Sequence, residues 1–113
     1  NKKIISKIIL NAAYFQKRIN HFCKQNNLDV QVYRFDSIIR IIFTKKNIGN
    51  VAARDFLETK KRNRINNFRK FLFQKSILYP KNGVIFFSAM INQKKIDFLV
   101  KNICEGLNKY FKK

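Results

Sequence analysis

Apolar residues at Ile4, Ile5, Ile8, Ile9, Ala12, Phe15, Ile19 and Phe22 recur at steps of three and four, with Lys2, Lys7, Asn11, Lys17 and Arg18 on the remaining surface. This period predicts an amphipathic helix from Lys3 to about Lys24 with a wide buried face. Gln25-Asn26-Asn27 breaks it. Val30, Val32 and Arg34 then alternate with Gln31, Tyr33 and Phe35, which predicts a strand ending at an Asp36-Ser37 turn. Ile38 to Thr44 reads as a second strand with Arg40 as its one charge. A strand apolar on both faces is expected at the centre of a sheet, covered twice, and a domain of this size has little with which to supply the second cover. That face is expected to meet a partner domain.

A polar connector follows from Lys45 to Val51, with Gly49 between Asn47 and Asn50. From Ala52 to Lys75 the pattern is helical, as one helix or as two that meet near Lys60 to Arg64, with Phe56 and Leu57 in the first apolar set and Ile65, Phe68, Phe71 and Leu72 in the second. Ile77-Leu78-Tyr79 and Val84-Ile85-Phe86-Phe87 are rich in β-branched and aromatic residues and flank Pro80 and Asn82-Gly83. This predicts strand, tight turn, strand. Asn92 is the expected N-cap of a last helix whose apolar face carries Ile96, Leu99, Val100, Ile103, Leu107, Tyr110 and Phe111. Gly106 lies inside that helix and weakens it by about 1 kcal/mol relative to Ala. The expected class is α+β: a small antiparallel sheet of two hairpin-like strand pairs covered by three to four helices.

Composition narrows the organisation. With 113 residues, 46% of them hydrophobic, the chain can build one core, so residues 1–113 are expected to form a single domain. It begins at Asn1, and its only methionine is Met90, so the chain is expected to be a domain excised from a longer one, the alternative being a removed leader. No apolar run reaches the roughly 18 residues of a membrane span. Nothing near Asn1 resembles a processed secretory signal, and the expected compartment is the cytoplasm. The first helix has a cationic polar face that would suit a membrane surface, but the hairpin and later helices give its apolar stripe a core to pack on.

Charge adds an alternative. The 25 Lys and Arg against 6 Asp and Glu give a net charge of +19, which makes RNA or DNA an obvious partner class. Heavy use of Lys, Asn, Ile and Phe is what a coding sequence rich in A and T favours, and that bias loads every solvated face with Lys. The one true basic cluster is Lys60, Lys61, Arg62 and Arg64, read first as a solvated turn and second as a phosphate contact. Tyr33, Phe35 and Phe73 are the candidates for base stacking. Cys23 and Cys104 sit far apart in helical patterns and are expected to be buried thiols. His21 is the only histidine, too few for a Cys/His metal set or a His-based catalytic pair, and no metal site is assigned.

The order helix, hairpin, helices, hairpin, helix resembles the C-terminal small domain of class III, fold-type-I, pyridoxal-phosphate (PLP) aminotransferases, in particular the glutamate-1-semialdehyde aminomutases. The residues that carry this are Asp36 to Thr44, similar to the family's short apolar strand after a turn; Arg54-Asp55-Phe56-Leu57-Glu58, similar to a connector; Phe68 to Pro80, similar to a helix leading into a short strand ending in proline; and Phe87-Ser88 to Asp97, similar to the final strand, polar cap and last helix. The resemblance implies a mixed domain joined to a larger one that holds PLP, in a protein that works as a homodimer. It implies no cofactor bound by this chain alone, because the Schiff-base lysine and phosphate site of that family lie upstream.

The residues also set the limit of the resemblance. Ile91 stands where aminomutases carry histidine, and no arginine follows Arg69, so no catalytic or cofactor-binding role is transferred to any residue. Arg40 is the single substrate-binding candidate: it could reach an anionic group in an interdomain cleft, or satisfy a carboxylate or carbonyl on a neighbouring helix. The function expected is that of a non-catalytic small domain forming part of an active-site wall and its closure. The alternative is an independent basic nucleic-acid-binding module.

Overall fold

The structure is a computed structural model and describes residues 2–46, 51–80, 83–88 and 91–112. The glycine-centred part of the connector, 47–50, and Asn82 of the expected turn lie outside the described residues. The elements follow in the order α1 (Lys2–Gln25), β1 (Gln31–Phe35), β2 (Ile38–Ile42), α2 (Val51–Lys60), α3 (Arg62–Gln74), β3 (Val84–Phe86) and α4 (Gln93–Phe111). The class is α+β, as expected, with four helices around one small antiparallel sheet of order β1-β2-β3. No helix among the described residues is long and apolar enough to cross a membrane.

α1 runs from its polar start to a C-terminus closed by Asn27. Leu28 N–H donates to the Cys23 carbonyl and Asn27 N–H to that of Lys24, with Asn27 at φ +53°. This is the paired-bond end in which the residue after the cap is left-handed, and asparagine tolerates that conformation. Ala12, Phe15, Ile19 and Cys23 are buried, whereas Ile4, Ile5 and Leu10 in the first turns are exposed. The predicted stripe is therefore real along its whole length but packed only over its C-terminal two thirds.

Asp36, at φ +53°, closes the β1–β2 hairpin, in which Phe35 faces Ile38 and Gln31 faces Ile42. β1 is an edge strand, and α1 satisfies its free side. The Val32 N–H donates to Asn20 Oδ1 at 2.7 Å, and Asn20 Nδ2 and Gln16 Nε2 both donate to the Val32 carbonyl. Edge backbone left bare would invite pairing with another chain.

The second strand pair differs from the expectation in one respect. β3 pairs with β2, Ile38 to Phe86 and Arg40 to Val84, while residues 77–80 form no ladder. The turn is present, since Gly83 N–H donates to the Pro80 carbonyl and Gly83 takes φ +75°. What removes 77–79 from the sheet is α3. Its C-terminus repeats the closure seen in α1, with Ile77 N–H on the Leu72 carbonyl and Ser76 at φ +64°, and Arg69 Nε donates to the Tyr79 carbonyl. Ile77 and Tyr79 still point inward and Leu78 outward, so the alternation is kept without the pairing.

One core joins these elements. Phe15 and Ile19 of α1, Ile39 and Ile41 of β2, Phe68 and Leu72 of α3, and Ile96, Ile103, Leu107 and Phe111 of α4 belong to a single buried cluster. Phe43 stacks on Phe111 with centroids 4.7 Å apart and meets the edge of Phe68 at 6.0 Å, as offset and T-shaped aromatic pairs prefer. Asn92 caps α4 by accepting from Lys95 N–H at 2.9 Å, as its position predicts. The helical stretch after the connector is two helices, broken at Lys61.

Candidate functional site

The pairing register places two kinds of residue on the two faces of the sheet. Val32, Ile39 and Ile41 face the helices and are buried. On the opposite face the register aligns Phe35, Ile38 and Phe86 in one row across all three strands, and Tyr33, Arg40 and Val84 in the next. The first row is open: Phe35 is 75% exposed, Ile38 36% and Phe86 68%. Three large apolar side chains in a line leave apolar area in water that contact with a second body would remove.

At the other end of the same face the cover is supplied from within. Arg40 Nη2 meets Glu58 Oε1 of α2 at 3.2 Å, both side chains being about four-fifths buried, and Ile42 is buried outside the main core cluster. The sequence leaves Arg40 between an external anion and an internal carboxylate, and the structure gives it the internal one. Arg40 Nε has no partner among the described residues.

Glu58 also stands near Tyr79. Burial pushes the Tyr79 phenol far above its ordinary range, and the Glu58 carboxylate pushes it further against the opposing pull of Arg40 and Arg69. Its hydroxyl, buried and without a hydrogen-bond partner among the described residues, stays protonated. A cavity of about 230 Å³ lies beside it, lined by Phe43, Glu58, Thr59, Arg62, Tyr79 and Gly83.

The basic cluster is split by its contacts. Lys61 Nζ reaches Asp29 Oδ2 at 2.8 Å and the Phe43 carbonyl, which pins the α2–α3 joint to the end of β2. The Lys60 ammonium lies 4.6 Å from the centre of the Phe56 ring. Arg62 and Arg64 are exposed. Tyr33, Phe35 and Phe73, the stacking candidates, are all exposed, but Tyr33 and Phe35 are on the sheet and Phe73 on α3.

Cys23 and Cys104 are free and buried, as expected. Burial and the neighbouring Cys104 push the Cys23 thiol up to about 12, and burial pushes Cys104 up to about 11. Neither is a ready nucleophile, since the thiolate is the reactive form. His21 is exposed on α1, and among the described residues no three His, Cys, Asp or Glu side chains come together.

Glu58 is the partner of Arg40 that sequence reasoning did not name. It pairs with a residue 18 positions away, and only the helix at 52–60, with two carboxylates in an otherwise basic stretch, hinted at it.

No protein-family model matches the chain, and no curated protein matches it in sequence. The fold is matched by solved structures. An omega-transaminase from Sphaerobacter thermophilus superposes with a TM-score of 0.80 at 10% identity over 96% of this chain and 24% of its own. A glutamate-1-semialdehyde-aminomutase from Pseudomonas aeruginosa PAO1, in complex with PMP, gives 0.83 at 11% identity over 98% and 24%. A beta-phenylalanine aminotransferase from Variovorax paradoxus gives 0.71 at 15% identity over 91% and 23%. At these identities the likeness is one of fold, and the chain spans about a quarter of the length of each of these three structures.

Proposed function

We propose that this chain is the small domain of a PLP-dependent class III aminotransferase or aminomutase, forming one wall of the active site and closing on substrate without holding the reactive groups itself. The observation that carries this is the near-complete match of the chain to a quarter of three such enzymes, one of them an aminomutase in complex with PMP. The open row of Phe35, Ile38 and Phe86 supports it, because a domain built to pack on a larger neighbour keeps an apolar face for that contact.

The cofactor would sit in the larger domain. A Schiff-base lysine needs a desolvated or charge-crowded amine. Lys61, the one described lysine that is partly buried, is already bound to Asp29 and the Phe43 carbonyl. No described lysine offers such an amine, and no step of PLP chemistry is assigned to the described residues. Arg40, held by Glu58, acts on this reading as a strut between sheet and α2. The parent works as a cytoplasmic homodimer.

The test is the size and cofactor content of the native protein. An antibody raised against the chain should detect a polypeptide roughly four times its 13.5 kDa, the ratio of 96% to 24% coverage. Borohydride reduction of the captured protein should leave a pyridoxyl-lysine in a peptide that lies outside residues 1–113. A native product of 13.5 kDa, or a pyridoxyl adduct within these 113 residues, sinks the proposal.

A further inference from the structure

The outer face of α3 carries a second surface, unrelated to the sheet row. Arg62, Asn66, Arg69 and Phe73 stand at steps of four, three and four residues, Lys70 follows Arg69, and with Leu78 they line a groove of about 860 Å³. At 1.5 Å per residue the cations of this stripe span roughly 12 Å, with the Phe73 ring beyond them. Phe73 is 70% exposed and Leu78 83%.

No carboxylate lines the groove, and the sequence has no acidic residue between Glu58 and Asp97. No hydrogen bond or ion pair among the described residues engages Arg62 or Lys70. Arg69 spends only its Nε, on the Tyr79 carbonyl, which fixes the guanidinium at the groove wall.

Drift toward A- and T-rich codons explains lysine on solvated faces better than it explains arginine. The chain has 18 Lys and 7 Arg, and 3 of the 7, Arg62, Arg64 and Arg69, fall within eight residues of α3. The other four each pair with another side chain: Arg18 with Tyr14 and Asp97, Arg34 with Gln16, Arg40 with Glu58, and Arg54 with Asp55. Arg62, with no partner among the described residues, and Arg69, with only its Nε engaged, stand beside the exposed Phe73 ring and the Asn66 and Gln74 amides, and this set has the chemistry that grips phosphates and stacks on bases.

We propose that the α3 groove binds single-stranded nucleic acid, with Arg62, Arg69 and Lys70 on phosphates and Phe73 stacked on a base. An acidic protein segment would satisfy the cations and leave the Phe73 ring without a role, which is why the nucleic acid is favoured. This surface is independent of the small-domain reading and stands or falls apart from it.

The experiment is fluorescence anisotropy of the 113-residue chain with a labelled oligothymidylate at about 50 and 200 mM salt. The Arg62→Gln/Lys70→Gln pair should weaken binding about tenfold at the lower salt and flatten the salt slope by about 1.4, from roughly 0.7 per single-strand phosphate contact. The Phe73→Ala variant, which keeps the charge, should weaken binding about fivefold or more at both salts. The Lys17→Gln/Lys24→Gln pair on α1 makes the same charge change elsewhere and should alter affinity less than about twofold. Equal losses in the two charge pairs, no effect of Phe73→Ala, or equal competition by polyglutamate overturns the proposal. Circular dichroism of each variant separates lost binding from lost fold.

Discussion

Gly106 of α4 lies against the Phe68 ring of α3: a Cβ placed on it would stand 2.8 Å from Phe68 Cε1 and 2.9 Å from Phe71 Cδ1. The glycine that weakens α4 as an isolated helix is a point of close approach between α3 and α4 in the core. Phe68 is fully buried and makes edge contacts with Phe43, Tyr79 and Phe111, so its ring has nowhere to retreat. Gly106→Ala gains up to about 1 kcal/mol in helix propensity and loses about 1–3 kcal/mol to overpacking. The expected net result is destabilisation, read as a lower urea midpoint with an unchanged slope. A raised midpoint would show that the two helices can part at little cost.

Ser76 offers the opposite case. It holds φ +64° at the end of α3 and its side chain is exposed, in the position where glycine usually closes this motif. Ser76→Gly should raise stability by about 0.5–1 kcal/mol by removing the left-handed strain. The matching change at Asn27, φ +53°, should gain less, because asparagine already tolerates that conformation. Thermal unfolding of the two variants side by side checks the order.

These two positions also mark how far the sequence can be read. Local signals identify what is local: the 3.6 period of α1 and α4, the Asn92 cap and the Asp36-Ser37 hairpin turn are all visible in neighbouring residues, while the same signals leave the break at Lys61 open between one helix and two. Ile77 to Tyr79 has the alternation of a strand and keeps it, but which backbone its N–H and C=O groups bond is decided by α3 and by β3 taking the free edge of β2. The same limit applies to Arg40, whose charge was conspicuous and whose partner, Glu58, was not. The open Phe35, Ile38 and Phe86 row was half legible, since a strand apolar on both faces announces a second cover without saying how much of it the domain supplies.

Removing one member of the Arg40–Glu58 pair should cost more than its pairing contributes. Glu58→Gln leaves a guanidinium about four-fifths buried against a neutral amide, with Arg40 Nε already lacking a partner among the described residues. Breaking a fully buried charge pair from one side typically costs about 3–5 kcal/mol, and with about a fifth of each side chain exposed the expected cost is about 1–3 kcal/mol. The double change Arg40→Met/Glu58→Leu should recover most of that loss, since paired apolar replacement is often neutral. A denaturant double-mutant cycle measures both, and additive losses would show that the two side chains are uncoupled.

The buried thiols predict a stability lost in alkali. Cys23 and Cys104 have folded pKa values pushed up to about 12 and about 11, above the roughly 8.5 of a free thiol. Between those values the folded chain holds protons that the unfolded chain has released, so stability falls as pH rises. The contribution is complete below about pH 8 and is lost from there up through pH 11 and 12. The Tyr79 phenol, raised by burial, adds a fall of the same sign above pH 10. Urea midpoints between pH 7 and 10 should decline in the parent chain and decline less steeply in a Cys23→Ala/Cys104→Ala variant, and identical slopes would count against burial as the cause.

The open sheet row gives the last prediction. Phe35 and Phe86 are exposed and touch little of the core, so Phe35→Ser/Phe86→Ser should change unfolding free energy by no more than about 0.5 kcal/mol per site. The same change should abolish concentration-dependent association driven by that row, read by sedimentation velocity over a range of loading concentrations. In contrast, Ile39→Ser on the buried face of the same sheet places an unsatisfied hydroxyl in the core and opens a cavity, and should cost several kcal/mol. The register puts one face of the sheet in the core and leaves this row of the other face exposed. A comparable stability loss on both faces would mean that the outer row is already part of the core.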